Sequence, residues 1–261
     1  MFDFHMHSIV SCDGHDTPEK MVAAASKIGL KEICFTDHID DDPLRDSSHL
    51  QYKLEDYEAA YSHLTSPDVK LRFGMEFGML PGNKEFAAQC ARARNYDFII
   101  GSVHYADNMD AYTAEYWEGK TILEGESIYL RDVLECVTVQ DDFDVLGHLT
   151  YLSKAKAHPT HEPVLLENHR DIVAEIMKVL VRKGKGMEIN TSGVDRCHAY
   201  LPSADFLRLF KDLGGQIVTV GSDAHTAGRV GQYCFDACQI VKEIFGHVCT
   251  FENRKVVFHK L

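Results

Sequence analysis

The residues of this chain that could carry chemistry are histidines and carboxylates placed at the ends of short apolar runs. His5 and His7 stand two residues apart in the opening FDFHMHS. Side chains at positions i and i+2 of a strand point to the same face, so two such imidazoles can bind one metal ion together. An isolated pair of this kind is more often an ordinary surface feature, so the rest of the chain must decide.

The same kinds of side chain recur after later apolar runs: His38 after EICFTD, Glu76 after LRFGM, His104 after FIIGSV, His148 after FDVLG, and Asp223 and His225 after IVTVGS. Each one alone has a plain explanation, such as a satisfied core histidine, an ion pair or a helix N-cap. Together they favour a metal cluster. Imidazole and carboxylate ligands suit zinc, manganese or iron. Because the set exceeds what one ion takes, it predicts at least two ions, with Glu76 suited to bridge them.

Strand-like runs alternate with helical patterns along the chain. The predicted strands are Phe2–Phe4, Glu32–Phe35, Leu71–Met75, Phe98–Val103, Phe143–Gly147, Gly186–Ile189 and Gln216–Val220. Helical spacing covers 18–29, 54–64, 84–94, 122–140, 165–183, 203–213 and 232–245. This alternation predicts parallel strands in either an open doubly wound sheet or a closed barrel. No glycine-rich phosphate loop follows the first strand, which disfavours a nucleotide-binding open sheet.

A barrel would explain the positions of the candidate ligands, because the carboxyl ends of its strands meet at one mouth. The last residues, VCTFENRKVVFHKL, predict a hairpin with its turn near Asn253 that caps the end of the domain. No linker or low-complexity tract interrupts the chain, so we expect one domain over residues 1–261.

The composition bounds the class of protein. The 261 residues are 45% hydrophobic and carry a net charge of −13, which argues against nucleic acid as a partner. Eight cysteines lack C-x-x-C spacing, and several, such as Cys34 and Cys136, lie in apolar runs where a reduced, buried thiol is expected. With no signal-like or membrane-length apolar segment, we expect a cytoplasmic protein without membrane contact. The oligomeric state is left open.

The ordered motifs HMHS, TDH, GME, GSVH, LGH and GSDAH resemble the polymerase and histidinol phosphatase (PHP) family, and most closely its stand-alone histidinol-phosphatase branch. The motifs span residues 5 to 225. The resemblance implies an α/β fold, a distorted seven-stranded (β/α) barrel of PHP type, with two to three divalent metal ions.

The resemblance also implies a ligand set. The first ion would take His5, His7, Glu76 and Asp223; the second would share Glu76 and add His104 and His148; the third would use His38 and His225. Many relatives place a further histidine eight positions after the first motif histidine, where this chain has Asp13. We favour Asp13 as the third-ion ligand, with His15 as the alternative.

Candidate substrate residues follow the segment MEINTSG, which resembles a strand motif of the same branch. Arg196 is the basic residue that the branch places soon afterwards, and its guanidinium matches phosphate oxygens. Asn190 could orient a ligand or the substrate, and His198 is a candidate proton donor to the leaving oxygen. Other possible phosphate contacts are Arg45, Arg131 and Arg229. Asp37 is expected to accept an N–H from a ligand histidine.

The implied activity is hydrolysis of a phosphate monoester, most of all L-histidinol phosphate in histidine biosynthesis, by attack of a metal-bound hydroxide. Glu76 and Asp223 would take part directly. The acidic stretch 40–42 could meet the cationic end of that substrate, or could be a solvated loop. Rival hypotheses are a PHP phosphoesterase acting on nucleotides or short nucleic acids, an amidohydrolase-type barrel, and a non-catalytic barrel.

Overall fold

The chain, described over residues 1–260 in a computed structural model, places parallel strands inside and helices outside. The strands are β1 Phe2–Met6, β2 Glu32–Phe35, β3 His38–Ile39, β4 Lys70–Gly78, β5 Phe98–Ser102, β6 Tyr105–Ala106, β7 Met109–Asp110, β8 Val145–Leu146, β9 Gly186–Asn190, β10 Val218–Gly221, β11 His247–Glu252 and β12 Lys255–Lys260. The α-helices are α1 Pro18–Lys27, α2 Leu54–Tyr61, α3 Lys84–Ala93, α4 Ala114–Trp117, α5 Ile122–Val139, α6 Leu166–Lys183, α7 Val194–Cys197, α8 Ala204–Asp212 and α9 Cys234–Phe245.

The inner strands form a nearly closed barrel. Their order, β1-β2-β4-β5-β8-β9-β10, follows the chain without reversal, and every neighbouring pair is parallel. An open doubly wound sheet would instead reverse its strand order at a switch point. The ends of β10 and β1 then meet through an isolated parallel bridge between Met6 and Ala224. The predicted barrel is therefore confirmed, and the open sheet is excluded.

The barrel seam positions the first two histidines. The amide of Asp223 donates to the carbonyl of His5 at 2.8 Å, and the amide of His7 donates to the carbonyl of Ala224 at 2.8 Å. Asp3 strengthens this seam, because its buried carboxylate accepts from the amides of Ser222 and Gly231, each at 2.8 Å. The first and last barrel strands thus bring residues more than 200 positions apart into one site.

Burial explains why the strands read as apolar runs. Strands β1, β2, β5, β9 and β10 are buried at every position, since side chains fill the barrel and helices cover its outside. Strand β4 is longer than predicted and contains Glu76, because it pairs with β5 as far as Gly78. The ribbon of β6 and β7 was not predicted, since two-residue strands leave no periodic pattern.

The C-terminal hairpin closes the amino-terminal end of the barrel, as predicted. Its turn lies at Asn253 and Arg254, both with positive φ, the geometry of a type I′ turn. Phe251 stacks on Phe98 with ring centroids 4.9 Å apart, and Arg254 Nε contacts the buried carboxylate of Asp144 at 2.5 Å. The hairpin is therefore fixed by both apolar and ionic contacts.

We expect Arg254→Ala to lower the free energy of unfolding by about 2 kcal/mol, because it leaves Asp144 without its charged partner. Urea denaturation followed by circular dichroism measures this change. Lys255→Ala, at an exposed neighbouring position, is the control and should change stability by less than about 0.5 kcal/mol. Equal stability of the two variants would contradict the role assigned to the Arg254–Asp144 pair.

Two further observations concern the cysteines and the lengths of the apolar helices. All eight cysteines are free, and Cys34 and Cys136 are buried as predicted. Among residues 1–260, no helix is both long enough and apolar enough to cross a membrane.

Candidate metal centre

The candidate ligands meet at the carboxyl end of the barrel around Glu76. The Glu76 carboxylate lies 2.9 Å from His148 Nε2, 3.0 Å from His5 Nε2 and 3.2 Å from His38 Nδ1. The Nε2 atoms of His7 and His104 are each 3.4 Å away. Glu76 is completely buried. One carboxylate thus touches five imidazoles, which is the arrangement expected of a ligand shared between ions.

Four overlapping groups of side chains have donor atoms within 4.8 Å of one another: His5, His7 and Asp223; His5, Glu76 and His148; His7, Asp13, His38 and His225; and His38, Asp40 and His104. All the candidate metal ligands favoured from the sequence belong to at least one group. The groups share His5, His7 and His38, so they form one continuous donor cluster rather than separate sites.

Asp13, rather than His15, joins this cluster. Its Oδ2 atom lies 2.9 Å from His225 Nε2 and 3.7 Å from His38 Nε2. Burial opposes the charge on Asp13, but the neighbouring imidazole of His225 holds the pKa of the carboxyl below its usual range. His15 lines the same cavity, yet it belongs to none of the donor groups found within residues 1–260. The geometry favours the first of the two alternatives.

The donor set fits a metal centre, as the surroundings of His7 show. Its Nδ1 atom bonds Ser11 Oγ at 3.1 Å, whereas its buried Nε2 atom has no hydrogen-bond partner in the described residues. That Nε2 atom lies 3.4 Å from both Glu76 and Asp223. A buried imidazole nitrogen that faces two carboxylates at this distance has the chemistry to share a cation with them.

The electrostatics of the cluster agree with this fit. Burial, together with the nearby His38 and His225, lowers the pKa of His7 to about 3, so His7 is neutral at pH 7, the form that binds metal. Burial alone would raise the pKa of Glu76, but His5 and His38 hold it well below its usual value. The cluster therefore combines an ionised carboxylate with an available imidazole lone pair.

Two carboxylates contact the Nδ1 atoms of candidate ligand imidazoles, and neither contact was predicted from the sequence. Asp40 lies 3.0 Å from His104 Nδ1, and Glu188 lies 2.7 Å from His5 Nδ1. Asp37 was expected to play this part, and that prediction is wrong. Its carboxylate accepts from the Ser8 amide at 2.8 Å and the Tyr61 hydroxyl at 2.5 Å, and no imidazole among residues 1–260 donates to it.

The rest of the acidic stretch stabilises its own loop. Asp41 accepts from the Ser47 hydroxyl, and Asp42 accepts from the amides of Leu44 and Arg45. This arrangement favours the loop interpretation of residues 41 and 42 over a substrate contact. Asp40 instead contacts His104 Nδ1.

A cavity of about 1000 Å³ opens over the cluster, and one wall of it is basic. Lys154, Arg196 and Arg229 line this wall together with Tyr112 and Ser192. Lys154 Nζ contacts the Asp223 carboxylate and lies 3.1 Å from Ser192 Oγ. Burial opposes its charge, but Asp223 holds the pKa of Lys154 above its usual value. Lys154 was missed from the sequence because it follows His148 by six residues with no recognisable spacing.

Arg196, the predicted phosphate-binding residue, lines this wall, and its Nη1 atom donates to the Tyr112 hydroxyl and the Lys154 carbonyl. Arg229 pairs with Asp195 at 2.6 Å. Arg45 is exposed in its loop outside the lining of the cavity, and Arg131 lies on a separate groove beside Lys120, so neither contacts this site. Both predictions of a phosphate contact are therefore wrong.

The last two candidates from the sequence also lie outside the cavity lining. His198 is an exposed residue at the end of α7, so we do not propose it as the proton donor. Asn190 is completely buried and donates to Glu188 at 3.1 Å and to Asp223 at 3.3 Å. Its contacts orient carboxylates of the cluster and do not reach the substrate space.

Comparison with known families agrees with this geometry. The PHP domain family model matches residues 3–192. This chain belongs to the PHP domain family. A Lactococcus lactis protein named histidinol-phosphatase is 31% identical over 260 residues, which cover 97% of this PHP chain and 95% of that relative.

Two solved structures have the same fold as this chain. A crystal structure of histidinol phosphate phosphatase from Lactococcus lactis, complexed with zinc, L-histidinol and phosphate, matches with a TM-score of 0.84 and 29% identity over 98% of both chains. A structure from Listeria monocytogenes matches with a TM-score of 0.77 over 90% of this chain and 99% of that one. At 18% identity, this second likeness concerns the fold alone.

Proposed function

We propose that this protein is a metal-dependent phosphate-monoester hydrolase that converts L-histidinol phosphate and water to L-histidinol and phosphate. The observation that carries the proposal is the pairing of a multinuclear donor cluster with a basic wall across one cavity. Such a site suits a small, doubly charged ester better than a long polyanion, because the protein as a whole carries a charge of −13. The full-length similarity to the Lactococcus lactis enzyme supports the choice of substrate.

We further propose that two to three divalent ions occupy the cluster, held by the nine predicted ligands His5, His7, Asp13, His38, Glu76, His104, His148, Asp223 and His225. Zinc, manganese and iron all suit these donors, and the Lactococcus lactis structure contains zinc. Such ions would act as Lewis acids toward the phosphate oxygens and would lower the pKa of a bound water.

The residues of the chain itself bind and orient the substrate. Lys154 and Arg196 offer positive charge to phosphate oxygens from the basic wall of the cavity, and the guanidinium of Arg196 is held in place by the Tyr112 hydroxyl. Tyr151 packs against His104 and His148 with ring centroids 5.1 and 5.0 Å apart. It thereby restricts the movement of two ligand imidazoles and narrows the cavity beside them.

The test combines metal analysis with a substrate panel. We expect elemental analysis to give at least two tightly bound ions per chain, and phosphate release to be fastest from L-histidinol phosphate. Nucleoside monophosphates, p-nitrophenyl phosphate and a phosphotyrosine peptide complete the panel. A nucleotide preferred by orders of magnitude would refute the substrate assignment and leave the metal centre standing. Fewer than two ions per chain would refute the multinuclear centre itself.

A further inference from the structure

We propose that Glu188 is a positioning residue that holds His5 and His148 in the orientation required for metal binding. Glu188 lies on β9 within MEINTSG and is 1% exposed. Its Oε1 atom is 2.7 Å from His5 Nδ1, and its Oε2 atom accepts from the backbone amide of His148 at 2.9 Å. One buried carboxylate therefore contacts two neighbouring ligand residues. The inference rests on the proposed metal centre but not on the identity of the substrate.

The contact with His5 selects one form of the imidazole ring. A neutral imidazole donates from one nitrogen and accepts at the other. The Glu188 carboxylate oxygen accepts from His5, so the proton of a neutral His5 belongs on Nδ1. The lone pair then lies on Nε2, which faces Glu76 at 3.0 Å and Asp223 at 3.8 Å. A carboxylate behind a ligand histidine fixes its tautomer and its ring plane in this way.

The contact with the His148 amide fixes a different strand. This amide follows β8, which has only two paired residues. Few strand-to-strand hydrogen bonds therefore fix the carboxyl end of β8. Glu188 ties that end to β9, while Asn190 Nδ2 supports the same Oε2 atom at 3.1 Å. His148 Nε2 then lies 2.9 Å from Glu76. Through these bonds, Glu188 sets the position of one histidine on each side of the shared carboxylate.

The barrel leaves space for Glu188 at a specific glycine. A Cβ atom at Gly221 would lie 2.3 Å from Glu188 Oε1 and 2.3 Å from the Cβ of His5. Any other residue at this position of GSDAH would therefore displace the pair. Gly221 ends β10 directly before the segment that carries Asp223, so the close approach of three strands depends on this missing side chain.

The chain offers a matched control in a second buried glutamate–histidine pair. Glu126 of α5 lies 2.7 Å from His169 Nε2 of α6, and both side chains are 4% exposed. This pair has the same distance as the Glu188–His5 pair and is also buried, yet it touches none of the metal donors. If zinc affinity fell only because a buried carboxylate beside an imidazole was removed, substitution of either glutamate would lower it equally.

The first experiment measures zinc affinity of the full chain by competition with a chelator, without substrate. In Glu188→Gln, one amide oxygen replaces two acceptors, so the amide NH₂ must face either His5 Nδ1–H or the His148 amide. We expect zinc affinity to fall about 10- to 100-fold in Glu188→Gln and to stay at the wild-type value in Glu126→Gln. Phosphatase activity of Glu188→Gln should recover as zinc is raised. Unchanged zinc affinity in Glu188→Gln, or an equal loss in both variants, would overturn the proposal.

A second measurement needs no variant and so decides the matter if Glu188→Gln fails to fold. Long-range ¹⁵N–¹H spectra of the zinc-loaded wild type report which imidazole nitrogen carries the proton. We expect a proton on Nδ1 of His5, and a proton on Nε2 would overturn the proposal. Zinc affinity and the position of the imidazole proton are both measured without phosphate, so the substrate assignment can fail while this inference stands.

Discussion

Replacing Glu76 by glutamine should lower kcat/KM for phosphate release by about 10³-fold or more, because a single preorganised contact is already worth roughly 10²–10³. Glu76 lies within 3.4 Å of five imidazoles, so the loss of its charge acts on the whole donor cluster. The same variant should hold at least one ion fewer per chain. Steady-state phosphate release and elemental analysis of one preparation measure both effects.

Glutamine keeps the size of the side chain and an oxygen that can accept from the Ser102 hydroxyl, which lies 2.5 Å from Glu76. The control is Glu126→Gln, which also neutralises a buried glutamate beside an imidazole, but at the α5–α6 contact. That control should retain its metal and its turnover. Near-normal turnover of Glu76→Gln with a full complement of metal would contradict the proposed mechanism.

The sequence predicted the barrel and the grouping of the candidate ligands at its mouth, because both leave local signals. Parallel strands buried on two faces read as continuous apolar runs, and each ligand follows or ends such a run, so a short motif marks it. His5 and His7 began as a weak pair. The later motifs made the pair a credible part of a metal site, since the strand order of the barrel places β1, which contains His5, beside the segment that contains Asp223.

The residues that support the ligands could not be predicted in the same way. Glu188 contacts His5 across 183 positions, and Asp40 contacts His104 across 64 positions. No spacing rule links such residues, because only the closed barrel brings them together. The error at Asp37 shows the same limit, since adjacency to His38 in sequence does not bring its carboxylate to an imidazole, and Asp37 accepts from Ser8 and Tyr61 instead.

Lys154→Met should lower kcat/KM about 10²–10³-fold while the metal content stays at the wild-type value, the range expected when one preorganised electrostatic contact is lost. Lys154 Nζ is the cation nearest to the donor cluster, in contact with Asp223 and 3.1 Å from Ser192 Oγ. Methionine keeps most of the apolar stem and removes the charge. Kinetics with L-histidinol phosphate and elemental analysis of the same sample test the expectation.

A matched lysine separates phosphate binding from a purely structural role. Lys185 Nζ donates to the carbonyls of Asp141 and Phe143 at the opposite end of the barrel, so Lys185→Met should leave kcat/KM unchanged. If Lys154 only balances the charge of Asp223, then Lys154→Met would alter metal affinity or stability but not the kcat/KM of the metal-loaded enzyme. If it meets the phosphate, the loss persists at saturating metal, because an added ion does not restore the missing ammonium group beside the substrate.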